Sequence, residues 1–432
     1  MKMKFTRRQS LKLSVLGASL SQASTKVFAA PEDYTGRFFV TLQAEGAWDV
    51  SSFCDPKTNQ PGEKNINNWA LDGEVETAGN IPYAPFGNNA AFFQKYYRDL
   101  LVINGVDAQT NSHSTGVLHN WSGRNSAGYP SLSALFAAIN APDIPLAYLN
   151  FGGYAETARM IRYTRLDEPG ALLNVLRPNE APWDRNSRMR VPSLLEKVQL
   201  KQRERLERLR AQENIMPRQR FAMDAYHQAR ENSKGLEDFA NVIPPENELQ
   251  GRTILSQQTS SNLLGQMQIA TLAFKAGVAC SADFHLDGFD THASHDEQHE
   301  PLLAHLVDAI DYFWTYAETH NIADRITLLI GSDFSRTPFY NNGNGKDHWP
   351  IGSVMVMEKN AAWGNRVIGE TDGGQNAKKI NPSSLRRDDA NGTILYPKHI
   401  HKAVRRYLGI DQHALITPFP FNSVEDFNFF AV

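Results

Sequence analysis

The sequence has little cysteine, no excess of basic charge and no apolar run long enough to cross a bilayer, and each absence excludes a class of protein. Two cysteines in 432 residues exclude a disulfide-rich scaffold and a zinc ribbon. Lysine and arginine number 44 against 47 acidic residues, a net charge of −3 that does not point to nucleic acid as a partner. A hydrophobic share of 41% without low-complexity segments is typical of a soluble, enzyme-sized globular chain.

The first 29 residues differ from the rest of the chain in charge. They hold six basic residues and no acidic one, and residues 6–12 resemble the twin-arginine export motif, with Ser10 where that motif usually has Phe. A short, weakly apolar segment at 13–23 and the small-residue site at 27–29 complete the pattern of a cleaved leader. We therefore predict a signal peptide, the twin-arginine translocase as a partner during export, no stable membrane span, and a periplasmic or secreted mature protein. The alternative is a disordered basic N-terminus.

Export also sets the redox environment of the two cysteines. In an oxidising compartment Cys54 and Cys280 can form a disulfide. The alternative is a buried free thiol at Cys280, which lies in an apolar segment.

From residue 30 onward, short apolar segments alternate with amphipathic helical patterns. This alternation predicts a three-layer α/β/α domain over 30–432 with a mainly parallel central sheet. Residues 157–250 break the pattern, because the charged helix at 193–213 has too few apolar positions for a core helix, so we predict a helical insertion there. The predicted strands are 37–43, 100–106, 145–151, 277–282, 326–331 and 353–357, and the predicted helices outside the insertion are 92–98, 263–274, 300–319 and 398–408.

Several apolar segments lead directly to acidic residues. Asp49 follows the first strand, Asp290 follows the strand at 277–282, and Asp333 follows the strand at 326–331. One such carboxylate often caps the next helix. Since ligands of parallel α/β sheets bind at the carboxyl ends of the strands, three acids at that edge indicate a site.

The histidines point to the same place. Five of thirteen lie between residues 285 and 305, and Asp290 with His292 and Asp347 with His348 form acid–imidazole pairs. Mixed aspartate and histidine ligands suit Zn²⁺, Mn²⁺ or another borderline divalent ion, whereas Ca²⁺ prefers oxygen ligands alone. The predicted cofactor is a divalent metal, with Zn, Mn, Ca and Mg left open. We predict Asp347 to orient a histidine. The predicted metal ligands are Asp49, Asp290, His292, Asp333 and His348.

The other histidines are assigned different places. We expect His295, His299 and His305 on the surface or behind the ligands, and His285 either in the core or in the site. His399 and His401, on the closing helix, are expected on the surface.

A nucleophile is predicted after the strand at 100–106. Ser112, with Ser114 as the alternative, stands at the start of a helix, where a hydroxyl either caps the helix or attacks a substrate held by free backbone N–H groups. His113 is a candidate metal ligand or acid–base group. Arg336 and Arg124 are candidates for pairing with a substrate oxyanion.

Together, these segments resemble in content and order a twin-arginine-exported bacterial family of unknown function (DUF1501), related to sulfatases within the alkaline-phosphatase-like superfamily. The residues that carry the resemblance are the leader, Asp49, Ser112-His113, residues 288–292, residues 332–337, residues 345–349 and residues 367–372.

The resemblance implies a divalent metal and an ester-hydrolysing reaction. Asp49 corresponds to the first-strand metal ligand and Ser112 to the nucleophile, while Asp290, His292, Asp333 and His348 correspond to further ligands. It implies phosphate or sulfate esters, of small molecules or polysaccharide, as substrates.

Two features depart from the superfamily pattern. Phe334 stands where its phosphatases usually have His, and no Cys-x-Pro-x-Arg sulfatase signature follows the second strand. The alternative is therefore a non-catalytic exported binding protein with a degenerate structural metal site.

Overall fold

The computed structural model describes residues 34–166, 169–181, 184–212, 214–231, 233–256 and 259–431. The predicted leader lies outside these residues. Within them, no helix combines the length and the apolar character needed to cross a membrane.

Sixteen strands and ten α-helices are defined within these ranges. The strands are β1 (Phe38–Ala44), β2 (Glu76–Ala78), β3 (Ile81–Tyr83), β4 (Leu100–Asp107), β5 (Tyr148–Asn150), β6 (Tyr163–Arg165), β7 (Glu180–Ala181), β8 (Asp184–Arg188), β9 (Thr253–Ile254), β10 (Ser260–Ser261), β11 (Ser281–Leu286), β12 (Ile326–Ser332), β13 (Ser335–Arg336), β14 (His348–Trp349), β15 (Ile351–Glu358) and β16 (Arg366–Ile368). The helices are Asn89–Tyr96, His113–Ser122, Leu132–Asn140, Pro169–Leu176, Pro192–Arg210, Pro217–Glu231, Ser233–Val242, Leu263–Lys275, His295–Thr319 and Pro397–Tyr407.

Eight strands form the central sheet, in the order β16-β4-β15-β12-β1-β11-β5-β6. Strands β12, β1, β11, β5 and β6 are parallel to one another. Strand β15 runs antiparallel to both β12 and β4, so β4 and its parallel neighbour β16 share the common direction. Seven of eight strands therefore point the same way, which confirms the mainly parallel sheet.

Helices cover both faces of this sheet. Along β1, Phe38, Val40 and Leu42 face one apolar core, and Phe39 faces the other. The first core is closed by helices Asn89–Tyr96, Leu263–Lys275 and His295–Thr319, and the second by helices Leu132–Asn140 and Pro397–Tyr407. Because helices cover both faces, strands such as β12 are buried along their whole length and are mostly apolar. The three-layer architecture is confirmed.

The strand predicted at 277–282 lies four residues later than expected, at Ser281–Leu286. Residues 278–280 are apolar and buried, but they form the connection from helix Leu263–Lys275 into the sheet. The Val278 N–H donates to Ala273 O, and Gly277 has a φ of 69°, so the chain here ends a helix. A short apolar segment does not distinguish such a connection from a strand.

Residues 157–250 contribute to the sheet as well as to helices. Strand β6 pairs in parallel with β5 at the edge of the central sheet. Helix Pro192–Arg210 has Leu206 as its buried residue, which fits the solvated helix expected there. The two cysteines are free and buried, in cores on opposite faces of the sheet, so they do not form the disulfide considered above.

Candidate functional site

The loops that carry the predicted site residues meet at one edge of the central sheet. Strands β1, β4, β11 and β12 all end there, because they run in the same direction. Strand β15 runs the other way, so the segment that precedes it, with His348, reaches the same edge from outside the sheet.

Three imidazoles and one carboxylate converge at this edge. His348 Nε2 lies 3.1 Å from His113 Nε2 and 3.2 Å from Asp290 Oδ1, and His113 Nε2 is 3.4 Å from the same oxygen. His292 Nε2 lies 3.0 Å from both His348 Nε2 and Asp290 Oδ1. We call His113, Asp290, His292 and His348 the His–Asp cluster. Among the described residues, His113, Asp290 and His348 form a group whose ligating atoms all lie within 4.8 Å of one another.

The hydrogen bonds on the far side of each ring determine which nitrogen carries the proton. His113 Nδ1 contacts Asp333 Oδ2, His292 Nδ1 lies 3.1 Å from Asp347 Oδ1, and His348 Nδ1 lies 2.8 Å from Asn111 O. These oxygens accept, so each Nδ1 is the donor, and a neutral ring then has a bare lone pair on Nε2. Oxygen acceptors behind the rings are typical of metal-ligating histidines.

In their neutral forms, the three rings therefore direct three Nε2 lone pairs toward one another and toward the Asp290 carboxylate oxygen. Arg336 supplies one positive charge, with Nη2 2.5 Å from Asp290 Oδ1 and Nη1 3.5 Å from His292 Nε2. Partial burial opposes ionisation of Asp290, but the bond to Arg336 and its charge outweigh that effect and lower the pKa of Asp290 to about 2. His113 and His348 keep their Nε2 atoms for another cation. Nitrogen-rich ligands with one carboxylate fit Zn²⁺ or Mn²⁺.

Phe334 packs against the rings of His113 and His348, the two histidines of the cluster that Arg336 does not contact. Its ring centroid lies 4.8 Å from that of His113 and 4.9 Å from that of His348, and the side chain is buried. The residue that departs from the superfamily pattern thus packs against the cluster without a ligating atom.

Asp333, predicted to be a metal ligand, holds His113 in place. Its Oδ1 accepts hydrogen bonds from Ala47 N at 2.7 Å, Gly46 N at 3.2 Å and Ser332 Oγ at 2.8 Å, and Oδ2 accepts from His113. This bond is the main cause that raises the pKa of His113, against the opposing effect of burial. Both carboxylate oxygens are therefore engaged, and neither belongs to the His–Asp cluster.

Close backbone approach explains two glycines of the site. Gly46 has a φ of 107°, and a Cβ there would lie 2.5 Å from Asp290 N. A Cβ on Gly345 would overlap the His292 carbonyl. These positions therefore need glycine to bring the loops of Asp290, His292 and His348 together.

Asp49, the remaining predicted ligand, lies in a separate buried network. Its Oδ2 is 2.7 Å from Lys346 Nζ and 3.1 Å from His295 Nε2, and its Oδ1 accepts from Ser51. Burial alone would raise the pKa of Asp49, but the Lys346 ammonium and the His295 hydrogen bond hold it well below its usual range. The structure thus brings together three of the five predicted ligands, with His113, and places Asp49 and Asp333 behind them.

The predicted nucleophiles stand beside the cluster. Ser112 immediately precedes helix His113–Ser122, yet its side chain makes no capping hydrogen bond. Its hydroxyl lies 3.3 Å from that of Ser114, and both serines are exposed. Ser112 is thus adjacent in sequence to His113 and to Asn111, whose carbonyl binds His348.

A cleft of about 720 Å³ opens beside the cluster, with His113 and Ser114 in its wall. His285, which had two possible assignments, also lines this cleft and binds Glu45 through a 2.6 Å contact between Nε2 and Oε2. Arg165, within the predicted insertion, and Arg252, two residues after it, also line the cleft.

The surface assignment is wrong for His399 and His401, whereas His295 and His299, expected on the surface or behind the ligands, lie behind the predicted ligand Asp49. His399 and His401 are buried, because His399 Nδ1 accepts from Tyr396 N at the start of its helix and His401 Nε2 donates to Asn120 O. His295, His299 and His305 are also buried, since helix His295–Thr319 begins five residues earlier than predicted and turns these side chains inward.

Arg124 lies away from the site, where it binds Pro420 O and stacks over Phe421 at 4.6 Å. Lys346 is a buried residue of the Asp49 network that was not among the predicted site residues. Its position directly before the Asp347–His348 pair was the available signal.

Comparisons with known proteins agree with the resemblance. A family model described as "Protein of unknown function (DUF1501)" matches residues 39–419. No protein in the curated collection matches the chain.

Solved structures with weak similarity include a putative sulfatase from Bacteroides thetaiotaomicron, at 7% identity and a TM-score of 0.37, covering 88% of this chain and 72% of that one. A phosphonate monoester hydrolase of Agrobacterium radiobacter has 10% identity and a TM-score of 0.35, with coverage of 86% and 74%. TAB5 alkaline phosphatase has 10% identity and a TM-score of 0.34, with coverage of 88% and 100%. The fold assignment rests on the strand order and directions given above.

Proposed function

The chain belongs to the DUF1501 family of proteins of unknown function, and we propose that it is an exported, metal-dependent hydrolase of phosphate or sulfate esters. The observation that carries this proposal is the His–Asp cluster, in which three Nε2 lone pairs and a carboxylate oxygen meet at 3.0–3.4 Å. His113, Asp290 and His348 would hold a divalent ion, and His292 adjoins them.

A divalent ion supplies Lewis-acid charge that stabilises the negative oxygens of a phosphoryl or sulfuryl ester. The chain supplies the remaining parts. Ser112 immediately precedes a helix, and its exposed hydroxyl makes no capping hydrogen bond. The first backbone N–H groups of that helix favour an anionic ester group. Ser114, two residues further along the chain, is the alternative nucleophile.

Two predicted catalytic groups take other roles in this proposal, His113 as a metal ligand and Arg336 as a positioning residue. His113 presents its Nε2 to the cluster, and its Nδ1 proton is bound to Asp333. Arg336 is fully buried, with Nε bound to Ala47 O at 2.9 Å and Nη2 bound to Asp290. Its charge therefore stabilises the ionised Asp290.

A small-molecule or polysaccharide ester would occupy the cleft beside His113 and Ser114. The lining mixes acidic, basic, amide and hydroxyl side chains, which suits a polar substrate with several donors and acceptors.

The alternative is a non-catalytic binding protein with a structural metal. Phe334 favours it, because this side chain occupies the position next to Asp333 without adding a ligand.

The test uses the folded protein loaded with Zn²⁺ or Mn²⁺ and a panel of aryl, alkyl and sugar phosphates and sulfates. The variants are His348→Ala, Ser112→Ala, Ser114→Ala and, as a control on an exposed serine elsewhere, Ser383→Ala. We expect turnover that one of Ser112→Ala and Ser114→Ala abolishes without loss of melting temperature, while Ser383→Ala keeps it. His348→Ala should abolish turnover together with metal binding. Metal-loaded protein that turns over no ester, yet loses melting temperature on chelation, would support the binding protein instead.

Export is tested separately. Replacing Arg7 and Arg8 together by Lys should retain the full-length precursor in the cytoplasm of a host with an active twin-arginine translocase. Processing and release of this variant at the parent rate would refute the assigned route.

A further inference from the structure

The Lys346 ammonium is fully buried beside the His–Asp cluster and is surrounded by oxygen atoms. Its Nζ lies 2.7 Å from Asp49 Oδ2, 2.7 Å from Asn67 Oδ1 and 3.2 Å from Ser51 Oγ. The side chains of Lys346 and Asp49 are both 0% exposed. Three acceptors match the three N–H donors of an ammonium group.

These surroundings have the composition of a cation site. A carboxylate, an amide carbonyl and a hydroxyl provide the oxygens, and His295 Nε2 lies 3.1 Å from the same carboxylate oxygen. The amide of Asn67 is oriented toward Lys346, because its Nδ2 donates to Lys57 O at 2.8 Å and Ser51 O at 3.2 Å. Without Lys346, Asp49 would be a buried carboxylate with no cation, which is costly.

We propose that Lys346 is the built-in cation of a second cation site, so that the chain takes a metal ion at the His–Asp cluster and an ammonium group at Asp49. Removal of the Lys346 side chain should then create a site for a small external cation. The cation class is monovalent, of about the size of ammonium or potassium.

The same lysine ties together the two loops that carry the metal ligands. The Lys346 N–H donates to Thr291 O at 3.1 Å, and the Lys346 carbonyl accepts from Arg336 Nη1 at 3.1 Å. Thr291 lies between Asp290 and His292, and Lys346 precedes His348 by two residues.

Two neutral histidines continue this connection to Asp49. Asp49 N donates to His299 Nε2 at 2.8 Å, so the His299 proton is on Nδ1, 3.2 Å from Thr291 Oγ1. The Thr291 hydroxyl lies 2.7 Å from His295 Nδ1, and His295 Nε2 donates to Asp49. A cation at Asp49 is therefore connected by hydrogen bonds to the loop of Asp290 and His292.

One part of this inference rests on the proposed function, namely the number of metal ions bound at the His–Asp cluster. The occupancy of the Asp49 site is tested without any enzyme assay, by melting temperatures of the full mature chain with chelator present. The samples are the parent, Lys346→Ala, Lys346→Met and the double variant Asp49→Asn/Lys346→Met. Methylammonium chloride and potassium chloride are the probes, and tetramethylammonium chloride, whose cation is too large, is the control at equal ionic strength.

We expect Lys346→Ala to melt below the parent and to recover several degrees with methylammonium or potassium but not with tetramethylammonium. The parent, Lys346→Met and the double variant should not respond selectively. An alanine variant as stable as the parent without added cation would overturn the proposal, as would a response equal to that of Lys346→Met.

Should Lys346→Ala fail to fold, its refolding yield is measured with and without methylammonium. Recovery that depends on methylammonium supports the proposal, and no recovery with it, while the double variant folds, overturns it. Elemental analysis gives a separate reading: two tightly bound metal ions in the parent would overturn the proposal. A parent that binds no metal would instead contradict the proposed function, while the selective response of Lys346→Ala to methylammonium would still hold.

Discussion

Replacing Asp333 by Asn should weaken metal binding by reversing the tautomer of His113. In the parent, Oδ1 of Asp333 accepts from the backbone N–H groups of Gly46 and Ala47 and from the Ser332 hydroxyl, while Oδ2 accepts from His113 Nδ1. In Asp333→Asn the amide oxygen has to take the Oδ1 position, because an NH₂ group there would oppose the two backbone N–H donors of Gly46 and Ala47. The NH₂ group then points at His113 Nδ1.

Two donors cannot face each other, so His113 would carry its proton on Nε2 instead. That proton occupies the lone pair that points into the His–Asp cluster. Loss of an orienting partner behind a metal ligand typically costs 10- to 100-fold in metal affinity. This range corresponds to about 1.4 to 2.7 kcal/mol.

The assay is a competition titration of Zn²⁺ against a chromophoric chelator at pH 7.5, with melting temperatures of the metal-free proteins as a check on folding. The matched control is Asp347→Asn. Asp347 is more than half exposed, and its Oδ1 accepts from His292 Nδ1 and Asn341 Nδ2, so an amide oxygen can replace it. Unchanged affinity in Asp333→Asn, or an equal loss in both variants, would refute the tautomer argument.

Three further changes have defined outcomes. Burial raises the pKa of Asp283 to about 6 from 3.8, so the folded protein keeps this proton to higher pH than the unfolded chain, and stability falls as pH rises from about 4 through 6. A shift of that size is worth about 3 kcal/mol. The free energy of unfolding of Asp283→Asn, measured in urea, should therefore rise by about that much relative to the parent between pH 4 and pH 7.5. A difference in unfolding free energy that does not change with pH would contradict the assignment. Phe334→Ala should lower the free energy of unfolding by about 3 kcal/mol and weaken Zn²⁺ binding, since it removes the ring packed on His113 and His348. A Zn²⁺ affinity equal to that of the parent in the chelator competition would show that the ring does not support the cluster. Gly345→Ala should lower the melting temperature and the metal affinity together, because its Cβ would overlap the His292 carbonyl, and a melting curve like that of the parent would contradict this close approach.

The sequence predicts the architecture and the position of the site because both depend on local patterns. Apolar segments that end in acids predicted strands β1, β11 and β12, with β11 misplaced by four residues, and parallel strands necessarily bring their carboxyl ends to one edge. The antiparallel direction of β15 was not predicted, since an apolar strand has the same pattern in either direction.

The division of labour among the acids could not be predicted in this way. Whether a strand-end carboxylate binds an ion or another side chain depends on groups that loops bring to it from far along the chain. Asp49 meets Lys346, 297 residues away, and Asp333 meets His113, 220 residues away. The burial of His295 and His299 likewise depends on the packing of their helix against the loop of Asp49.

An anomalous difference map from crystals of the protein purified without chelator would show whether one divalent ion binds at the His–Asp cluster. We expect one strong peak within about 2.0–2.3 Å of His113 Nε2, His348 Nε2 and an Asp290 carboxylate oxygen. A peak on Asp49 in place of the Lys346 ammonium would contradict this expectation. So would a map with no peak among the three side chains after the crystals have been soaked in Zn²⁺ and Mn²⁺.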